Sequence, residues 1–159
     1  MSIMSKSAKP VTASPEQLEL TSLLAECGLK VTRPRLMVLA IFKNSTHPLG
    51  AQEVAMSLPT LQASPPINNV TIYRIIDSFK SNGLIREVNL RHGHLDYELI
   101  EHQDDHHHIV CTKCGLVEDF YGCSATSMIR KVIKNSRKFA TVNEHSVELF
   151  GLCKKCISL

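Results

Sequence analysis

Two pairs of cysteines, each enclosing two residues, carry the strongest chemical signal in this sequence of 159 residues. Cys111 and Cys114 form one pair, and Cys153 and Cys156 form the other. Each Cys-x-x-Cys turn directs two thiolates at one ion, and two turns complete the tetrahedral shell of a structural Zn²⁺ site. Four unrelated core cysteines or a redox pair are the alternative. An all-thiolate shell has no open position for water or substrate, so the pattern predicts a structural role.

A second group of metal-ligating residues surrounds the strand that leads into the first cysteine pair. His106 and His108 share one face of that strand and His107 takes the other, because side chains alternate along a strand. The same alternation leaves Glu98 free to face the linker that precedes the histidines. Imidazole and carboxylate ligands together suit Fe²⁺, Mn²⁺, Co²⁺ or Zn²⁺. The predicted site comprises His47, Glu98, His106, His108 and Asp119.

Two other interpretations of the histidines stay open. The run can be a solvated polar linker in which the imidazoles merely lie near one another. The opposite face of the strand also offers a further group of potential ligands, and these form a second site only if the fold brings them together. The members of this further group are Asp105, His107 and His145.

The N-terminal elements follow the order of a winged helix. Capping residues, apolar spacing and terminal glycines predict four helices and then a β-hairpin with a turn at Gly93. The fourth helix is the clearest, because an apolar stripe runs along it from Ile72 to Phe79. The predicted helices cover about 15–27, 35–44, 50–58 and 69–82, and the hairpin strands cover 84–90 and 95–99, with a connection at 59–66.

The C-terminal elements alternate strand-like segments with one amphipathic helix. Strands are predicted at 109–110, 116–120 and 142–150, and the helix is predicted near 124–136. The chain is therefore expected to have an α+β fold of two small domains. The predicted segments are a flexible arm at 1–14, a winged-helix domain at 15–100, a hinge linker at 101–105 and a small α/β domain at 106–159 that the four-cysteine zinc site holds together.

The composition of the chain says more about the cellular environment of the protein than about its activity. A formal charge of +3 permits a nucleic-acid surface but does not diagnose one. The sequence has no apolar run of membrane-spanning length and no signal-peptide core, so a cytoplasmic protein without a membrane partner is expected. Thiols stay reduced in that compartment, which favours metal ligation over disulfides. The two remaining cysteines, Cys27 and Cys123, are expected to be buried thiols.

Several ordered stretches resemble the ferric uptake regulator family across about Glu19 to Cys156. They are GLKVTRPRLMVL at 28–39, NVTIYRIID at 69–77, GLI at 83–85, YEL at 97–99, HHHIVCTKCG at 106–115 and HSVELFGLCKKC at 145–156. The resemblance implies a homodimeric, metal-responsive transcriptional repressor. In that family the N-terminal domain binds double-stranded DNA at palindromic operators, the C-terminal domain dimerises, and metal at the hinge sets the DNA-binding conformation.

The resemblance also assigns roles to individual residues. Structural zinc falls on the four paired cysteines, the regulatory metal on the predicted site around Glu98, and a further metal on the group that contains His107. Iron is the expected regulatory metal, with Mn²⁺ or Zn²⁺ as other occupants. The DNA-binding residues that the resemblance implies are Lys30, Arg35, Thr71, Tyr73 and Arg74, of which Tyr73 is alternatively a packed core side chain.

Three departures from the family pattern affect the metal sites. His47 lies four residues before Ala51, whereas many relatives place this histidine three before. A glutamate usual in the further site is replaced near Thr126. One extra residue separates Glu98 from the histidine run.

Other functions remain open from the sequence. Zinc-uptake and peroxide-stress regulators belong to the same family, and a metalloenzyme with an open His/Glu site is the alternative of a different class. Zinc sensors often recruit a cysteine near the hinge, and none lies between Cys27 and Cys111. Peroxide sensors typically carry aspartate where Glu98 stands, so the sequence favours an iron-sensing regulator of metal uptake genes.

Overall fold

The computed structural model describes residues 14–58, 67–91, 93–100, 106–143 and 145–158. The predicted hinge linker, the connection at 59–66 and all but the last residue of the predicted arm lie outside the described residues. The N-terminal part (14–100) contains α1 (Pro15–Glu26), α2 (Arg33–Lys43), β1 (Leu49–Gly50), α3 (Ala51–Ser57), α4 (Asn69–Ser81), β2 (Ile85–Val88) and β3 (Asp96–Leu99). The C-terminal part (106–158) contains β4 (His106–Cys111), β5 (Val117–Tyr121), α5 (Ala125–Asn135), β6 (Glu148–Gly151) and α6 (Lys154–Ile157).

Local capping fixes the ends of the N-terminal helices. The Ser14 hydroxyl accepts a hydrogen bond from the Gln17 amide, and Pro15 occupies the first turn of α1. The Asn68 side chain caps α4 in the same way through the Thr71 amide at 2.8 Å. α4 ends before Gly83, whose φ of 69° suits glycine. All four predicted N-terminal helices are thus confirmed, although α2 begins two residues earlier than predicted.

The core of the N-terminal part lies where α1 to α4 meet the hairpin. Leu24, Val38, Leu39, Val54 and Phe79 are each fully buried there. The apolar stripe of α4 faces this core, which is why the helix spacing in the sequence predicted it correctly.

Removing the Phe79 ring should be the costliest single change in this core. We expect Phe79→Ala to lower the free energy of unfolding by about 3–5 kcal/mol, because it removes a fully buried ring and leaves a cavity in the core. Tyr73→Ala, on the exposed side of the same helix, is the matched control and should leave stability nearly unchanged. Urea unfolding followed by circular dichroism measures both, and equal losses would contradict this account of the core.

The sheet of the N-terminal part has the strand order β1-β3-β2, and both pairings are antiparallel. The two-residue strand β1 was not predicted, because only its pairing with β3 defines it. Glu98 lies opposite Arg86 across the hairpin, and Asp96 lies opposite Gly50 on the other side of β3. Asp96 is consequently buried.

The sheet of the C-terminal part has the order β5-β4-β6, with β4 antiparallel to β5 and parallel to β6. The predicted strand at 142–150 is mostly wrong, because pairing with β4 begins only at Glu148. β4 is longer than predicted and includes all three histidines. The short helix α6, which carries Cys156, was not predicted.

A small apolar cluster joins the two parts of the chain. Val88 and Leu90 from the hairpin pack with Val110 of β4 and with Phe150 of β6. The Arg91 guanidinium lies 4.0 Å from the centre of the Phe150 ring, a cation–π contact. Every helix in the described part of the chain is too short or too polar to cross a membrane.

Candidate metal centres

The C-terminal fold brings all four paired cysteines together. Cys111 ends β4, Cys114 follows in the turn, Cys153 caps α6 and Cys156 lies within α6. Their sulfur atoms lie within 4.8 Å of one another. The Cys114 and Cys153 sulfurs are 3.8 Å apart, and a tetrahedron with Zn–S bonds of about 2.3 Å has edges of about 3.8 Å. The donor set and its spacing therefore fit one tetrahedral Zn²⁺ ion.

The thiols of this cluster differ strongly in acidity. Amide N–H groups, that of Cys153 at 3.3 Å first among them, donate to the Cys111 sulfur and hold the pKa of that thiol below its ordinary value. Hydrogen bonds with Cys153 and Cys114, together with burial, raise the pKa of the Cys156 thiol. Because an ion binds thiolates, protons must leave this cluster as the shell closes.

A second cluster forms where β3 of the N-terminal part meets β4 of the C-terminal part. Glu98 Oε2 lies 3.1 Å from His106 Nε2 and 3.1 Å from His108 Nε2. A shell with bonds of about 2.1 Å has ligand–ligand edges of about 3.0 Å if octahedral and about 3.4 Å if tetrahedral. The cluster therefore has the chemistry and spacing of a divalent-metal site that two parts of the chain share.

Arg86 supports Glu98 from the neighbouring strand, a role that the sequence analysis missed. Its Nε donates to Glu98 Oε1, and its terminal nitrogen donates to the His106 carbonyl at 3.2 Å. Burial disfavours the charged form of Glu98, but the adjacent His108 ring nitrogen and the hydrogen bond from Arg86 outweigh it and lower the pKa of Glu98 to about 2. Glu98 is therefore a carboxylate at neutral pH, with Oε2 left to face the imidazoles.

The two other predicted members of this site lie at its edge. Asp119 Oδ1 is 3.5 Å from His108 Nε2, because Asp119 and His108 are cross-strand partners in β5 and β4. His47 is exposed and lines a cavity of about 160 Å³ that Glu98, His106 and Asp119 also line. Within the described residues, the mutually close ligand group contains neither of them.

The opposite face of β4 brings together two of the three residues predicted for the further site. His107 is buried beside His145, with ring centres 5.1 Å apart. Cys123 completes the group, since its sulfur lies 3.3 Å from His145 Nε2. Cys123 is thus a half-buried ligand candidate, not the inert buried thiol that was expected; Cys27 is half-buried as well. Asp105, the third predicted member, lies outside the described residues.

The residues that the resemblance assigns to DNA lie in α4, in the first turn of α2 and just before α2. Tyr73 and Arg74 are exposed near the start of α4, which excludes core packing for Tyr73. The Thr71 hydroxyl donates to the Asn68 side chain at 2.9 Å. Arg35 is partly committed to the fold itself, since it donates to the Lys30 carbonyl and to the Ser78 hydroxyl.

Proteins of known sequence and structure are similar to this chain over nearly its whole length. The ferric uptake regulation protein of Legionella pneumophila is 34% identical over 141 residues, which cover 87% of this chain and 99% of that protein. The crystal structure of the Vibrio cholerae ferric uptake regulator matches with a TM-score of 0.67 and 27% identity over 84% of this chain and 98% of that one. The structure of the Francisella tularensis regulator with iron matches with a TM-score of 0.66 and 30% identity, over 82% and 96%.

The α+β fold and these relatives define a metal-dependent transcriptional regulator and exclude the metalloenzyme alternative. The chain belongs to the ferric uptake regulator family, whose sequence model matches residues 26–150. The resemblance inferred from the sequence motifs is confirmed.

Proposed function

We propose that this chain is an iron-sensing, DNA-binding repressor of metal uptake genes. One observation carries the proposal: Glu98 from the N-terminal part and His106 and His108 from the C-terminal part meet at one point. A ligand held by both parts favours the single arrangement in which they converge, and so it shifts the population toward that arrangement. DNA binding that depends on this arrangement then depends on the metal.

Each residue around Glu98 has a distinct part in that switch. Arg86 orients Glu98 and keeps it ionised, so no proton has to leave the carboxylate when an ion binds. His106 and His108 supply nitrogen ligands in their neutral form. A bound divalent ion supplies the positive centre that these ligands share. His47 and Asp119 line the adjoining cavity and are the proposed additional ligands.

Iron is proposed from the donor set and from the relatives. Imidazole nitrogen and carboxylate oxygen suit Fe²⁺, and also Mn²⁺ and Zn²⁺. The similar Legionella protein is named for ferric uptake, and the similar Francisella structure contains iron. A zinc-uptake or peroxide-stress role is the alternative within the family. The four-cysteine cluster is proposed to hold a permanent structural Zn²⁺.

The DNA interface is proposed to be the exposed start of α4 within a winged-helix domain at 15–100. Tyr73 can contact a thymine methyl group, and Arg74 can reach a guanine edge or a phosphate. Thr71 offers a hydroxyl oxygen as an acceptor, because its proton is used within the cap. Lys30 is exposed beside α2 and can neutralise phosphate, while Arg35 mainly holds the Lys30 segment against α4.

Apolar side chains on the C-terminal part favour a homodimer through the domain proposed at 106–159. Met128 and Val132 lie on one side of α5, and Ile109 and Leu149 are paired across β4 and β6. All four are at least 40% exposed in the single chain. An apolar surface of this kind marks an interaction site, and two-fold symmetry is the commonest way for identical chains to cover one. A two-fold dimer would present two α4 helices to a palindromic operator.

The test is selection of DNA by the zinc-loaded chain from a pool of duplexes with randomised centres. We expect palindromic duplexes to be selected when Fe²⁺ is supplied without oxygen, or when Mn²⁺ replaces it. Their affinity at fixed salt should fall at least tenfold when the exchangeable ion is withdrawn. Tyr73→Ala should lower the affinity for the selected duplex relative to random DNA. Leu18→Ala, a change at an exposed residue of α1, should not. Equal affinity with and without the exchangeable ion would overturn the proposal.

A further inference from the structure

A fourth group of potential metal ligands lies wholly within the N-terminal part. Glu53 lies in the first turn of α3, His94 precedes β3, and Asp96 begins β3. One ligand atom from each lies within 4.8 Å of the other two. His94 Nε2 is 3.1 Å from Asp96 Oδ1, which is the spacing of two ligands on one small ion. None of these side chains belongs to the three groups described above.

Burial brings the charges of this group into a poorly solvated space. Asp96 is 1% exposed, and a carboxylate taken out of water must be matched by opposite charge and hydrogen bonds. Glu53 brings a second carboxylate into the same space. One of its oxygens, Oε2, accepts from the Gly50 amide at 2.8 Å. The group therefore combines one imidazole with two carboxylates, and one divalent cation balances both negative charges.

Gly50 provides the room for the imidazole. A Cβ atom at this position would lie 2.9 Å from His94 Cδ2, 3.0 Å from His94 Nε2 and 3.4 Å from Glu53 Oε2. The Gly50 backbone is ordinary extended chain, with φ of −71° and ψ of 153°, so its conformation alone does not require glycine. The site instead depends on the absence of a side chain at Gly50, which lets the nitrogen-bearing edge of the His94 ring approach the backbone.

We propose that Glu53, His94 and Asp96 bind a divalent transition-metal ion, separate from the four-cysteine cluster and from the cluster at Glu98. Three ligands of nitrogen and oxygen type suit Zn²⁺, Mn²⁺ or Fe²⁺ and leave a coordination position for water. The ion would fasten the chain entering β3 to α3, and would so order the hairpin beside α4. The proposal does not rest on the repressor function, because it needs only these three side chains.

The test measures bound Mn²⁺ or Zn²⁺ per chain by equilibrium dialysis and elemental analysis, on protein whose four-cysteine cluster is already loaded with zinc. We expect His94→Ala to bind one equivalent fewer than the unaltered chain. Gly50→Ala should lose the same equivalent although it removes no ligand, because the half-exposed His94 ring can swing away from the added methyl group while the fold persists. Gln52→Ala, an exposed neighbour on α3, is the matched control and should keep full binding.

A double variant, made with and without His94→Ala, distinguishes this site from the cluster at Glu98. The His106→Ala and His108→Ala double variant should lose the equivalent at Glu98 and still respond to His94→Ala by losing another. Circular dichroism checks that each variant is folded. If His94→Ala and Gly50→Ala bind as many equivalents as Gln52→Ala, the three side chains form only an ion pair with a helix cap, and the proposal is overturned.

Discussion

Cys156→Ser is expected to remove the structural zinc and to unfold the C-terminal part while α1 to α4 stay folded. The described residues of 106–158 bury few apolar side chains of their own, namely Val110 and Ala125 beside Cys111 and Cys156. So small a core cannot offset the entropy of ordering the segment. Structural zinc contributes about 10–16 kcal/mol in comparable small sites, more than enough to hold it.

Hydrogen exchange measured by mass spectrometry checks this prediction segment by segment. Amides of β4, β5 and β6 should lose protection in Cys156→Ser, and elemental analysis should find one zinc fewer per chain. Cys27→Ser is the matched control, because Cys27 packs against the N-terminal core outside the cluster. Zinc loading should also release protons and weaken as the pH falls, since the Cys156 thiol holds its proton in the ion-free cluster. Unchanged protection and zinc content in Cys156→Ser would refute the structural role.

Glu98→Ala is expected to abolish the metal-dependent rise in DNA affinity. Both imidazoles contact the same oxygen of Glu98, so the change removes the one ligand from the N-terminal part in this group. Loss of a supporting residue alone typically costs 10–100-fold in metal affinity, and loss of a direct ligand should cost at least about a hundredfold. Calorimetric titration with Mn²⁺ and duplex binding at fixed salt measure the two effects.

The controls separate ligation from local folding. Glu87→Ala removes a carboxylate from the adjacent strand that pairs with Lys80 instead, and it should leave the metal response intact. Glu98→Gln keeps the shape and removes the charge. Because the pKa of Glu98 is lowered to about 2, its ionised form stabilises the fold at neutral pH, and that contribution is lost as the pH falls from about 4.5 toward 2. Glu98→Gln should lack this acid-dependent step, and a normal metal response in Glu98→Ala would rule out the proposed site.

Sequence periodicity predicted the parts of the site that depend on local geometry. Alternation along β4 correctly separated His106 and His108 from His107, and the helix spacing of α4 correctly predicted the apolar stripe from Ile72 to Phe79. The four-cysteine cluster was predicted from the spacing of the paired cysteines alone. These predictions succeed because each depends on residues close together in the chain.

The features that were missed depend on contacts between distant segments. β1 is a strand only because β3 lies beside it, and the same pairing buries Asp96. Arg86 reaches Glu98 through the hairpin register, and Cys123 meets His145 across the C-terminal part. Cross-strand pairing of opposite charges was the available signal for Arg86. Nothing in the local sequence distinguished Cys123 from an ordinary core thiol.

The hairpin that bears Glu98 also limits where residues can be inserted without disturbing the metal site. Arg86 faces Glu98 in the pairing of β2 with β3, and a slip of one residue would send every side chain of β3 to the opposite side. An inserted residue inside β3 would therefore present Tyr97 or Leu99 to the histidines. Additions near Gly93, beyond the paired residues, leave the alignment intact. Within this hairpin, changes of length are thus expected to be tolerated only at its tip.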